Sequence, residues 1–333
     1  MRTKIAIALG TVYVVWGSTY LAIAVADRTL PPLLMLAVRF GVAGGLLYAW
    51  SAWRGDVASA RLGRREWAAA AIVGGLLLFV DTGGIAWAEQ RVASGLTALL
   101  VAIVPLFTAL LDRTFFGIRL SLGALAGIAT GLLGVALLVG QTANVDPVGA
   151  AVILGAALAW ATGSSYARVA TLPKAPFLSA AMQMLCAAAL LAVAGTAMGE
   201  IGRVHPAAVS AGSLAAFGFL VVFGSIVAFT AYGWLLRSAA PSVLVSTYAY
   251  VNPAVAVLLG WALAGEALSG RELAAGAIIL ASVGMLVLAR VPHRHAEAEP
   301  LPETVEPYLR RKEAQKRPVH PVPRLADLRR MAP

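Results

Sequence analysis

The chain holds a single cysteine in 333 residues. Cys186 sits within an apolar run and has no partner, so no internal disulfide can staple the fold. Histidine is almost as scarce: His205, His293, His295 and His320 fall in loops and tail without the spacing of a zinc set, and no metal or cofactor is expected. Charge is the third shortage, at 13% of residues, whereas a soluble domain carries about 25%. Apolar residues reach 60% and mean hydropathy is +0.82. These deficits remove water as the main solvent, and the expected class is an all-α integral membrane protein.

What the sequence does have is long apolar runs. They cover residues 5–26, 31–53, 67–88, 91–111, 120–140, 147–168, 175–197, 211–235, 240–263 and 272–290. Each approaches the ~20 residues that cross ~30 Å of hydrocarbon, and runs this long exclude the short alternating strands of a barrel. Arg2 and Lys4 before an apolar stretch, with Ala22-Ile23-Ala24 behind it, also suit a signal peptide. The run exceeds a usual signal core, however, and cleavage would break the duplication described next.

Trp16 and Pro32 recur as Trp160 and Pro176, both 144 residues later. Ser94, Pro105, Leu120 and Ser121 recur as Ser242, Pro253, Leu268 and Ser269, each 148 residues later. The chain therefore divides into a first repeat over 1–140, a second over 147–290 and a tail over 291–333. Five runs per repeat is odd, so the second repeat enters the bilayer from the opposite side. Ten transmembrane helices as two inverted five-helix repeats are expected, an architecture used for alternating access around a central site.

Placing the amino terminus inside puts Arg2, Lys4, Arg54, Arg61, Arg64, Arg65, Arg113, Arg119, Arg168, Lys174, Arg237 and Arg290 on the cytoplasmic side. Only Arg28, Arg91, Arg203 and Arg271 then lie outside. This bias predicts both termini in the cytoplasm. It also explains the net charge of +10 as topology, so no nucleic acid is expected as a partner. The tail has eight prolines, nine Lys/Arg and six Asp/Glu, a composition that cannot repay ordering entropy. A disordered cytoplasmic tail is expected, and its basic clusters are suited to anionic lipid headgroups.

Trp16-Gly17-Ser18-Thr19-Tyr20, then Pro32 and Arg39, resemble the start of an EamA-type transporter. The likeness continues through Ala93-Ser94-Gly95-Leu96 and Val104-Pro105-Leu106-Phe107. It is strongest from Asn252-Pro253-Ala254 through Gly265-Glu266 to Leu268-Ser269, with Gly276 and Gly284 behind. The set is similar to the drug/metabolite transporter (DMT) superfamily over about residues 5–290. The resemblance implies an inner-membrane exporter of amino acids and related metabolites, with a central cavity between the halves. One departure stands out: Glu266 of the second half has Gly117 and Ile118 at its counterpart in the first.

Arg39 and Asp81 are the sharpest pair of candidates. Arg39 lies eight residues past Pro31 and Asp81 eight before Glu89, each about 12 Å deep at 1.5 Å per residue, on consecutive antiparallel helices. Such charges need a partner or water. A structural ion pair and a gate or proton-linked group both fit, and Asp81 reads as the only deep acid. Gln183 and Phe229 occupy the matching places in the second half.

Trp16 shares a helix face with Thr19 and Tyr20, and Trp160 with Gly163 and Ser164. The run 240–263 adds Tyr248 and Asn252, spaced i,i+4. These residues suit a substrate-binding cavity with aromatic walls and a few polar groups, or equally ordinary helix packing. Pro105 and Pro253 mark expected helix breaks. Gly123, Gly127 and Gly131 read as close helix packing, within the monomer or between subunits. No acid–base or nucleophile cluster points to an enzyme, and no ring of repeated polar groups points to a channel or sensor scaffold. Export of hydrophobic amino acids competes with export of amphipathic drugs. The expected partners are a small-molecule substrate and the bilayer; oligomeric state is left open.

Overall fold

The structure is a computed structural model that describes residues 2–60, 62–92, 97, 100–118, 120–139, 146–238, 240–264 and 270–288. The expected tail and the motif around Glu266 lie outside the described residues. Among those described, every regular element is helical. The long helices are α1 (Arg2–Ala26), α2 (Pro32–Trp53), α3 (Arg64–Ala88), α4 (Val104–Phe116) and α5 (Leu122–Val139). The second half supplies α6 (Pro147–Ala167), α7 (Pro176–Ala197), α8 (Ala211–Leu236), α9 (Tyr248–Ala264) and α10 (Gly270–Leu288). α1, α2, α3, α6, α7 and α8 are individually long and apolar enough to cross a membrane, and α5 and α10 contain shorter apolar segments.

Local chemistry sets the helix ends. Pro32, Pro147 and Pro176 open their helices where a missing N–H costs nothing. Asp146 caps α6 through Val148 N and Gly149 N, and Ser210 caps α8 through Ser213 N. Gly117 ends α4 at φ +64°, a conformation that other residues adopt only at a cost. α3 and α8 each contain a π-helical stretch, Gly75–Gly83 and Leu220–Phe229, at corresponding places in the two halves. Such widened turns gather at functional sites.

Counterpart helices of the two halves pack against each other. On α2 and α7, Gly41 faces Ala188, Gly44 faces Met184 and Ala181, and Leu34 faces Gly195. The rising numbers on one helix meet falling numbers on the other, so the pair is antiparallel. α5 and α10 repeat the pattern, with Gly127 against Leu286 and Gly134 against Ile279. The glycine row of α5 is thereby assigned to packing within the monomer at Gly127 and Gly131. α1 and α9 instead run parallel, with Tyr13 bonded to Thr247 and Gly17 pressed against Asn252 and Val255.

Small residues allow these approaches. In lipid, helix association rests on close packing rather than on apolar burial. Large apolar side chains accordingly face outward as well as inward: Val38 and Leu46 on α2 and Leu190 and Val193 on α7 are exposed.

Candidate substrate cavity

Between the halves lies a cavity of about 920 Å³, including its open mouth. Its walls come from α1, α2, α3, α4, α6, α8 and α9. The lining runs from Trp16, Trp160 and Tyr248 toward Ile23 and Glu89, near the C-terminal ends of α1 and α3. Most of it is aliphatic or aromatic, with Thr19, Arg39, Asp81, Thr82, Glu89 and Asn252 as its polar members.

The deep end is an aromatic quartet. Trp16 and Trp160 meet edge to face, with ring centroids 5.4 Å apart. Tyr232 lies 5.1 Å from Trp16 and 5.3 Å from Trp160, and Tyr248 lies 5.1 Å from Trp16. The polar edges of the rings are satisfied: Trp160 Nε1 donates to Tyr232 Oη at 2.8 Å, and Trp16 Nε1 donates to Gly224 O at 3.2 Å. A buried indole N–H left without an acceptor would cost about 1–3 kcal/mol.

Below the quartet an ion pair joins the halves. Arg168 Nη1 of the α6 end donates to Asp112 Oδ1 of α4 at 2.7 Å, and Ser242 Oγ donates to Asp112 Oδ2. The Arg168 guanidinium also lies over the Phe116 ring, 4.9 Å from its centroid. Arg168 stands eight residues past Trp160 and Asp112 eight past Val104, about 12 Å beyond the cavity lining on both helices. On the same side, and within the second half, Arg237 donates to Pro173 O and Lys174 O.

Most of the sequence-derived site residues converge here. Trp16, Thr19, Arg39, Asp81, Trp160, Tyr248 and Asn252 all line the cavity. Thr19 Oγ1 also donates to Trp16 O at 2.7 Å. With its amide oriented to donate, Asn252 reaches Tyr248 O at 3.1 Å and Tyr13 O at 3.3 Å, which ties α9 to α1. Ser164 instead turns to Tyr232 Oη and to its own helix at Trp160 O, both 2.7 Å away. The side chains of Tyr20 and Pro253 lie outside the described residues.

Pro105 stands at the start of α4, just after a turn at Ala102–Ile103. Pro253 lies inside α9, and the interruption on that side is the turn at Ser246–Thr247, upstream of it.

Arg39 and Asp81 share the cavity but do not pair. Among the described residues, ion pairs within 4.0 Å are Arg168–Asp112 and Arg54–Asp56. Arg39 Nε donates instead to Ser225 Oγ on α8 at 2.9 Å. The expectation of a single deep acid also changes. Asp112 is buried, because α4 continues to Phe116 where the apolar run ends at residue 111. Asp112, Ser242 and Tyr232 were not among the sequence candidates. The polar step at the end of the fourth run was the available signal for Asp112.

Carboxylates also gather beyond the mouth. Glu200 is buried and accepts from Leu33 N and Leu34 N, capping α2 from the other half of the chain. Burial, then the charge of Glu200, pushes the Asp27 carboxyl up to about 6. Burial, then Asp27, pushes Glu89 up to about 7.

A cavity shared by two halves of apolar helices, floored by aromatic rings and closed beyond them, defines a multi-pass membrane protein of the transporter class. The chain belongs to the EamA-like transporter family, whose model matches residues 3–140 and again 147–288. It is 43% identical over 279 residues to the inner membrane transporter YedA of Escherichia coli (strain K12), covering 83% of this chain and 88% of that one. It is 29% identical over 219 residues to a probable terminal-alkyne amino-acid exporter of Streptantibioticus cattleyicolor, covering 64% and 70%. A solved crystal structure shares the fold at a TM-score of 0.72 and 24% identity, over 87% of this chain and 99% of that one. The protein is a multi-pass protein of the inner membrane.

Proposed function

We propose that the protein exports small organic solutes, foremost amino acids and related metabolites, by alternating access between two inverted five-helix repeats. The carrying observation is the cavity: it lies between the halves, reaches one face at Ile23 and Glu89, and ends on the other side at the aromatic quartet and the Arg168–Asp112 pair. With both termini in the cytoplasm, the open face is the outer one, and the arrangement corresponds to an outward-facing state. Antiparallel packing of α2 on α7 and of α5 on α10 supports an inverted repeat. The likeness to a probable amino-acid exporter supports the substrate class.

Flux from preloaded proteoliposomes tests this reading. Efflux of one or more apolar amino acids should saturate with concentration, and running the panel with and without a proton gradient identifies the coupling. Linear, unsaturable flux would indicate a channel, and efflux of amphipathic cations without any amino acid would replace the substrate class.

A further inference from the structure

We infer that the cavity recognises the zwitterion itself, with Arg39 taking the carboxylate and Asp81 the ammonium of an amino acid whose apolar side chain lies against the aromatic floor. This rests on the export reading above and adds the chemistry of recognition. Arg39 is 5% exposed and Asp81 6%, so both charges are held largely away from bulk water. Both line one cavity, yet no ion pair within 4.0 Å joins them. Two opposite buried charges that do not neutralise each other are costly, and a partner for each removes the cost.

The guanidinium is set for such a partner. Its Nε is bonded to Ser225 Oγ, its only hydrogen bond among the described residues. The group rests on Gly224, where an added Cβ would lie 2.7 Å from Nη2. Holding Nε in this way leaves the terminal nitrogens as donors for a carboxylate, which arginine binds through paired N–H bonds. Asp81 supplies the acceptor for an ammonium group. A monoanion would satisfy Arg39 alone and a monocation Asp81 alone, whereas a zwitterion satisfies both and adds no net charge. The remaining wall, with Met35, Leu36, Phe40, Ile85 and Trp160 among its members, offers an apolar side chain its surroundings.

The test uses the full chain purified in detergent, with labelled phenylalanine displaced by unlabelled phenylalanine, phenethylamine or 3-phenylpropionate. Phenethylamine lacks the carboxylate and 3-phenylpropionate lacks the ammonium. The wild type should prefer phenylalanine to either by at least about tenfold, the discrimination worth ~1.4 kcal/mol. Arg39→Gln should abolish the preference over phenethylamine while keeping that over 3-phenylpropionate. Asp81→Asn should do the reverse.

Arg39→Lys keeps the charge without the fork and should recover part of the preference, which also covers the case where Arg39→Gln fails to fold. Equal weakening of all three ligands in folded variants would make both residues structural and overturn the inference while leaving export intact. If the wild type neither binds nor exports any apolar amino acid but moves ethidium, the export reading falls first and this inference with it.

Discussion

Glu89 and Asp27 show how position alters an ordinary carboxyl. Each is partly buried at the end of an apolar helix, and each also faces a neighbouring carboxylate, Asp27 that of Glu200 and Glu89 that of Asp27, so the protonated form is favoured in the folded protein. For Glu89 the folded value is about 7 against 4.5 for the free group. Between those values the folded chain holds a proton that the unfolded chain has released, so stability must fall as pH rises through that window. Asp27 adds the same sign between 3.8 and about 6. Thermal unfolding in detergent should therefore show a melting temperature that declines from pH 5 to pH 7.5. Glu89→Gln should flatten most of the decline above pH 6, and an unchanged slope would assign the effect to other groups.

The helices carry their specificity in small residues, and Gly74 is the most constrained of them. A Cβ there would lie 2.2 Å from Gln183 O, against the backbone of α7, where no side chain can swing aside. Alanine is intrinsically the better helix former by ~1 kcal/mol, but overpacking a rigid contact costs about 1–3 kcal/mol. The clash should win, and Gly74→Ala should lower thermal stability and monodispersity. Gly155→Ala meets nothing within 4 Å and should be neutral or mildly stabilising. Equal melting temperatures for the two variants would refute the close α3–α7 approach.

How far the site was legible also follows from the elements. Trp16 and Trp160 were found because a repeat displays its own symmetry, and their rings do meet. Tyr232 was missed because its counterpart position is Gly84, so the repeat is silent there. The π-helical stretches were missed because hydropathy records that a helix is apolar and not how it is wound. That winding accompanies the error in pairing: matched depth on α2 and α3 suggested that Arg39 meets Asp81, whereas Arg39 reaches across to Ser225 on the π-helical part of α8.

The two faces of the protein are built unlike each other. On the side opposite the mouth, Arg168 and Asp112 join the second half to the first, with Asp112 nearly buried at 2% and Arg168 at 25% side-chain exposure. The equivalent positions of the other face are Ala24 and Gly260, which cannot form such a pair. Under the alternating access proposed above, a latch on this face favours the arrangement open at the mouth and must break before this face can open. Losing a charge-assisted bond of this kind costs about 1.5–3 kcal/mol, a shift of roughly 10- to 150-fold between two states.

Asp112→Asn and Arg168→Gln should each move the population toward the face that is now closed. The lone thiol at Cys186 makes this measurable, because replacing it by serine and placing a new cysteine at Ser246, beneath the quartet, gives one reporter. In inside-out vesicles that thiol should be alkylated at least about tenfold faster in either latch variant. The double variant should react no faster than the singles, because both substitutions break the same bond. Unchanged rates in all three would show that the pair braces the fold without controlling access. Additive rates would assign the two residues to separate contacts.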